Sequence, residues 1–138
     1  MNGVNLRLWC WPAIALWVAL SSGCVTAGKQ DLPPEEAVQL RAQGWADALM
    51  ARDVAAAYAF TSPNYRQFAS AKAYNVNVAG SGSWTSAVVD SVQCEEDVCD
   101  VRVIIEYTLR QYKISSRRPL DYKWVRVEDE WWLYVPAK

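Results

Sequence analysis

At Gly80-Ser81-Gly82-Ser83 the hydrophobic period of this 138-residue chain changes. Upstream of it, apolar residues recur every three or four positions; downstream they alternate. A helix buries a stripe and a strand buries one face. A chain that switches once from the first pattern to the second therefore folds as helices laid on one face of an antiparallel sheet, the α+β class. Val38, Ala42, Trp45 and Leu49 fall on one stripe of a helix spanning 34–51. Pro33-Pro34 suits its first turn, and Glu35 and Glu36 complement its N-terminal dipole. Gly44 inside this helix costs about 1 kcal/mol relative to Ala, which points to a close approach by another backbone. Asp53 is placed to cap a second helix over 54–60, ended by Pro63. A third short helical piece is expected over 68–75, and the Gly-Ser run reads as a flexible break.

The alternating half reads as four strands in a meander. The first covers 84–94 and turns at Glu95-Glu96-Asp97. The second, 99–111, sets Val101, Val103, Ile105, Tyr107 and Leu109 on one face against Arg102, Glu106 and Thr108. Ser115-Ser116 marks the next turn. The third strand, 120–128, alternates Leu120, Tyr122 and Trp124 with Asp121 and Lys123, turns at Glu128-Asp129-Glu130, and leads to the last strand at 131–135. There is no internal repeat.

The chain also begins with an address. Residues 1–7 carry one charge, Arg7, and residues 8–20 are uncharged and mostly apolar. Thirteen helical residues span about 20 Å, short of the ~30 Å bilayer core, as in a signal h-region. The run ends Ser21-Ser22-Gly23-Cys24, which resembles a bacterial lipoprotein signal, with Ser21 where such signals usually carry Leu. That resemblance implies a leader over 1–23, acylation of Cys24, a tether over 24–32 and a single domain over 33–138. It also implies a lipid bilayer as partner through acylated Cys24. Val25 in place of Asp favours the outer membrane, with the domain facing the periplasm. In an exported chain Cys94 and Cys99 are expected as a disulfide across the first hairpin. A zinc site on two thiolates would need carboxylates to complete it, since the chain has no His.

The helices, the closing Trp124…Glu128-Asp129-Glu130-Trp131-Trp132 hairpin and Ser62-Pro63-Asn64-Tyr65-Arg66 after an Ala-Tyr helix resemble the nuclear transport factor 2-like superfamily over 34–136. The resemblance implies N-terminal helices packed on a curved antiparallel sheet of about four strands, forming a cone. It implies no one activity, because this cone serves enzymes, binders and scaffolds alike.

Composition narrows the chemistry. The net charge of −1 gives no field to collect phosphates, so no nucleic-acid partner is expected. Absence of His removes the commonest general base and metal ligand. No catalytic residue, metal or cofactor is assigned. The runner-up, an isomerase- or dehydratase-like enzyme, would take its base from Asp47, Asp90 or Glu106 and an oxyanion donor from Tyr58, Tyr65, Tyr74 or Tyr107. The leading reading is a non-catalytic domain that binds a small apolar ligand or an envelope protein. Its pocket candidates are Tyr58, Tyr65, Arg66, Trp84, Asp90, Tyr107 and Trp124, set against the plainer role of aromatics as core. Arg110, Lys113, Arg117 and Arg118, with no acid among them, are candidates for contact with an anionic surface, or simply a solvated loop. A third reading is a structural subunit of an envelope complex. A homodimer through the outer sheet face would need an unbroken apolar patch there.

Overall fold

A computed structural model of the chain describes residues 32–136. The leader 1–23, Cys24 and most of the tether lie outside the described residues. Four helices precede four strands: α1 (Pro34–Met50), α2 (Val54–Ala59), α3 (Pro63–Phe68), α4 (Ala71–Val78), a 3-10 turn (Ala79–Ser83), then β1 (Trp84–Glu95), β2 (Val98–Leu109), β3 (Ile114–Val127) and β4 (Glu130–Leu133). The strands form one antiparallel sheet in the order β1-β2-β3-β4.

The stripe expected on the first helix is the one α1 buries: Val38, Ala42, Trp45 and Leu49, joined by Ala46. They pack against Ala87 and Val89 of β1, Val101, Val103 and Ile105 of β2, and Trp124 of β3 in one core. Gly44 does meet a close neighbour, but it is a ring rather than a backbone. A Cβ there would lie 3.2 Å from Phe60 Cζ.

Several boundaries differ from expectation. Asp53 caps α2, accepting from Ala56 N–H at 2.9 Å. Pro63, expected to end that helix, instead opens α3 behind a Ser62 cap. Proline suits a first helical turn, where no N–H is needed. The piece expected over 68–75 is two helices, because Ser70 accepts from Ala73 N–H and starts α4 afresh. The Gly-Ser run forms a 3-10 turn. Ser115 and Ser116 do not turn the chain. They pair with Thr108 and Tyr107, and β3 begins six residues earlier than expected. The turn lies instead at 110–113, where Lys113 takes a left-handed φ of 53°. Pro119 sits within β3 opposite Ile104, on a stretch that β4 does not reach, so its missing N–H costs no ladder bond.

The two outermost strands, β1 and β4, are each covered in part, by different devices. On the β1 edge, Gln43 of α1 donates to Ala87 O at 3.1 Å and accepts from Val89 N–H at 3.0 Å, standing in for a strand. On the β4 edge, Leu133 N–H donates to Phe60 O and Ser62 N–H donates to Leu133 O. Cys94 and Cys99 face each other in register and are disulfide-bonded.

Candidate functional site

Strand length opens the site. β4 pairs only with residues 124–127 of β3, so the half of β2 and β3 nearer their shared turn has no fourth strand beside it. The concave surface of that half forms the wall of a cleft of about 630 Å³. Trp45 and Leu49 come up from α1, Tyr74 and Asn77 from α4, and the 3-10 turn closes one side. Ile105, Tyr107, Leu120 and Tyr122 line the sheet side, all of one alternation parity. Trp84, Arg118 and the C-terminal residues 134–136 complete the lining. A second cleft of about 640 Å³ lies between α3, α4 and the C-terminal segment, and shares Asn77 and residues 134–136 with the first.

The centre of the first cleft is a packed aromatic cluster. Trp45 Nε1 donates to Tyr74 Oη at 2.7 Å in a buried contact. The Trp45 ring meets Tyr122 edge-on, with centroids 4.6 Å apart. Tyr58 and Tyr65 pack on the other sides of Tyr74. Burial pushes the Tyr74 phenol up to about 12, against the downward pull of the Trp45 hydrogen bond. Burial also raises Tyr122 to about 12, with Arg118 opposing. Both phenols therefore stay protonated at any physiological pH. Tyr74 accepts from the indole and keeps its own O–H for donation.

Among the described residues no Asp or Glu lines this cleft, and Arg118 is the one charged lining residue. The three carboxylates weighed as a base lie elsewhere. Asp47 is exposed on α1, where it accepts from Gln43. Glu106 is exposed on the outer sheet face opposite Arg117. Asp90, expected to point inward on the parity of Val88 and Val92, is an exposed residue at a β-bulge. Val89 pairs with Val103 and Ser91 with Arg102, leaving Asp90 without a partner. The extra residue flips the parity, so Val92 lies on the side of Val89 and not of Val88. Among the described residues no group of three or more His, Cys, Asp or Glu is placed to hold a metal ion.

The pocket candidates do not converge. Trp84 and Tyr107 line the first cleft and Tyr65 the second, where its hydroxyl accepts from Asn77 Nδ2 at 3.2 Å. Tyr58 sits behind Tyr74 and donates to Ala69 O. Arg66 donates to Ala59 O and lies 4.9 Å from the Trp132 ring, away from the cleft. Trp124 is wholly buried opposite Cys99 in the core. Parity correctly places Trp124 on the concave face, but the helices cover it there. The lining residues missed were Trp45, Leu120 and Tyr122, while Tyr74 was weighed only as an oxyanion donor. Tyr122 was legible from its alternation with Leu120. Trp45 looks like any core residue until α1 is docked. The four cations also part company: Arg110 and Lys113 sit at the β2–β3 turn, Arg117 faces Glu106 across the outer sheet, and Arg118 lines the cleft. The outer face carries the ion pairs Arg102–Asp121 and Lys123–Asp100, so it is not an unbroken apolar patch.

No known family's sequence profile matches the chain, and no curated protein matches it. Solved structures do. A protein from Campylobacter jejuni described as an NTF2-like transpeptidase superposes with a TM-score of 0.50 at 10% identity, covering 69% of this chain and 94% of that one. A SEC-C motif containing protein from Rhodopseudomonas palustris gives 0.50 at 16% identity, over 72% of this chain and 73% of that one. A protein from Novosphingobium aromaticivorans described as a scytalone dehydratase gives 0.45 at 16% identity, over 71% and 77%. Identities this low speak to fold alone. With the element order, the meander and the curved sheet, the two superpositions at 0.50 show an α+β cone fold of the nuclear transport factor 2-like kind.

Proposed function

We propose that the cone is a receptor for a small, mainly apolar molecule, and that it does no chemistry of its own. The observation that carries this reading is the makeup of the first cleft: aromatic and aliphatic walls, phenols that remain protonated, and no carboxylate among the described lining residues. A cone enzyme working by proton transfer needs a titrating group at the reacting atom, and the acids weighed for that role are on the surface. A binder needs only shape, apolar area and a few donors, which the Tyr74 and Tyr122 hydroxyls can supply. The test is native mass spectrometry of residues 25–138 purified gently from the host. A co-purifying small mass, lost in a Trp84→Ala/Tyr107→Ala variant, is the expected result. A bare chain, or a mass that persists in that variant, overturns the reading.

The same proposal holds the domain at the membrane through an acylated Cys24, facing the periplasm from the outer membrane. Its support is the charged start, short apolar run and Ser22-Gly23-Cys24 ending, together with a disulfide suited to an oxidising compartment. Cys24→Ser is expected to move the protein into the soluble fraction. Unchanged membrane fractionation of that variant ends the anchor claim.

A further inference from the structure

The β2–β3 turn puts charge and apolar surface on the same projection. Leu109, Tyr112 and Ile114 are 42%, 64% and 53% exposed there, although such side chains usually find cover. Arg110 and Lys113 alternate with them around the turn, and Arg117 and Arg118 follow on the emerging strand. No acid occurs between Glu106 and Asp121. The ion pairs among the described residues, Arg102–Asp121, Lys123–Asp100 and Arg126–Asp129, use none of these four cations. Phe68 and Val76, another exposed apolar pair, border the second cleft, which no basic residue lines among the described residues.

We infer that this turn docks on an anionic lipid surface, with Leu109, Tyr112 and Ile114 entering the headgroup layer and Arg110 and Lys113 pairing with the phosphates. An apolar tip alone would fit many partners. Cations interleaved with it, and no acid to repel an anionic interface, select a surface that is apolar beneath and negative above. Tyr112 has the amphipathic ring that settles at such a boundary. The docking has a consequence for the cleft. Tyr107, Leu109 and Arg118 belong both to this hairpin and to the cleft lining, so a docked turn holds the cleft beside the bilayer. The inference goes beyond the receptor reading and can fail without it.

The chain from Val25 onward, which has no acyl chain and keeps every described element, is sedimented with vesicles of phosphatidylcholine containing about one third phosphatidylglycerol. Binding is expected to these vesicles and not to pure phosphatidylcholine, and to weaken as salt screens the charges. Each surface-adjacent cation contributes about a fivefold factor, so Arg110→Gln/Lys113→Gln is expected to weaken partition about 25-fold. Tyr112→Ala is expected to weaken it at high and low salt alike. All three positions are exposed, so folding is checked by an unchanged thermal midpoint. Three results overturn the inference: no binding to the anionic vesicles, binding that the double variant leaves unchanged, or vesicle binding equal with and without phosphatidylglycerol. The native-mass experiment reads the cleft without vesicles, so the two failures are distinguishable.

Discussion

Replacing Tyr74 and Tyr122 one at a time by Phe separates two contributions that a buried phenol makes to stability. Tyr74 accepts the Trp45 indole N–H at 2.7 Å in a buried contact. Tyr74→Phe removes the acceptor and leaves that N–H with nothing to bond. An orphaned buried donor costs about 1–3 kcal/mol, so this loss is expected at neutral pH. Tyr122 accepts no such bond, and Tyr122→Phe is expected to change stability at pH 7 by less than about 0.5 kcal/mol. The alkaline limb gives the second contribution. Both phenols are raised from 10 to about 12 by burial. The folded state thus holds the proton more tightly than the unfolded chain does. Below pH 10 neither state has ionised and the stability is fully present. As pH rises from 10 through 12 the unfolded chain ionises first, and stability is lost. A two-unit difference gives a loss of about 1.4 kcal/mol per tyrosine at pH 11, approaching roughly 2.7 kcal/mol above both values. Urea unfolding followed by tryptophan fluorescence, from about pH 7 to about pH 11, reads both effects. Tyr122→Phe is expected to match the parent at pH 7 and exceed it at pH 11. A Tyr74→Phe protein as stable as the parent at pH 7 would refute the orphaned-donor argument. A Tyr122→Phe protein that falls as steeply as the parent toward pH 11 would refute the burial argument.

Three further outcomes are expected. Cys94→Ser/Cys99→Ser opens a short loop and should lower stability by about 2 kcal/mol, seen as a drop in the urea midpoint with the slope little changed. Glu128 and Asp129 both take left-handed φ, 52° and 61°, in a two-residue hairpin turn. Changing them to Asn-Gly should raise stability by about 1 kcal/mol and lift the thermal midpoint, since the exposed Arg126–Asp129 pair it removes contributes little. Gln43→Leu strips the cover from the β1 edge, costing about 1–2 kcal/mol and making the protein self-associate in size-exclusion chromatography at concentrations where the parent does not.

Local rules reached far into this fold, because burial stripes and alternation are set by neighbours a few residues apart. Val38, Ala42, Trp45 and Leu49 specify the buried face of α1 by spacing alone. The alternation of β2 specifies Val101, Val103 and Ile105 as core, and the nearness of Cys94 and Cys99 specifies their bond. What failed at the sequence level failed where one residue's place depends on a distant one. Asp90 could not be assigned a side, because a bulge is an offset between two strands and leaves no mark in either. Ser115-Ser116 looked like a turn, yet pairing with β2 claimed it as strand. Pro119 fits within β3 only because β4 is too short to reach it. Pro63 was read as a stop for α2, although Ser62-Pro63 also carries the local signature of a helix start, a Ser cap followed by Pro in the first turn.

The site divides the same way. Sequence determined the chemical repertoire: no His, many aromatics and few places for a buried charge. Tertiary structure decided which members meet. Packing α1 across the sheet sends Trp124 into the core and brings Trp45 to Tyr74 and Tyr122, three residues on three elements. The physical reason is that burial of a side chain is a property of what covers it. Alternation says which way a residue points, and only the docked helices and the length of β4 say whether anything lies over it.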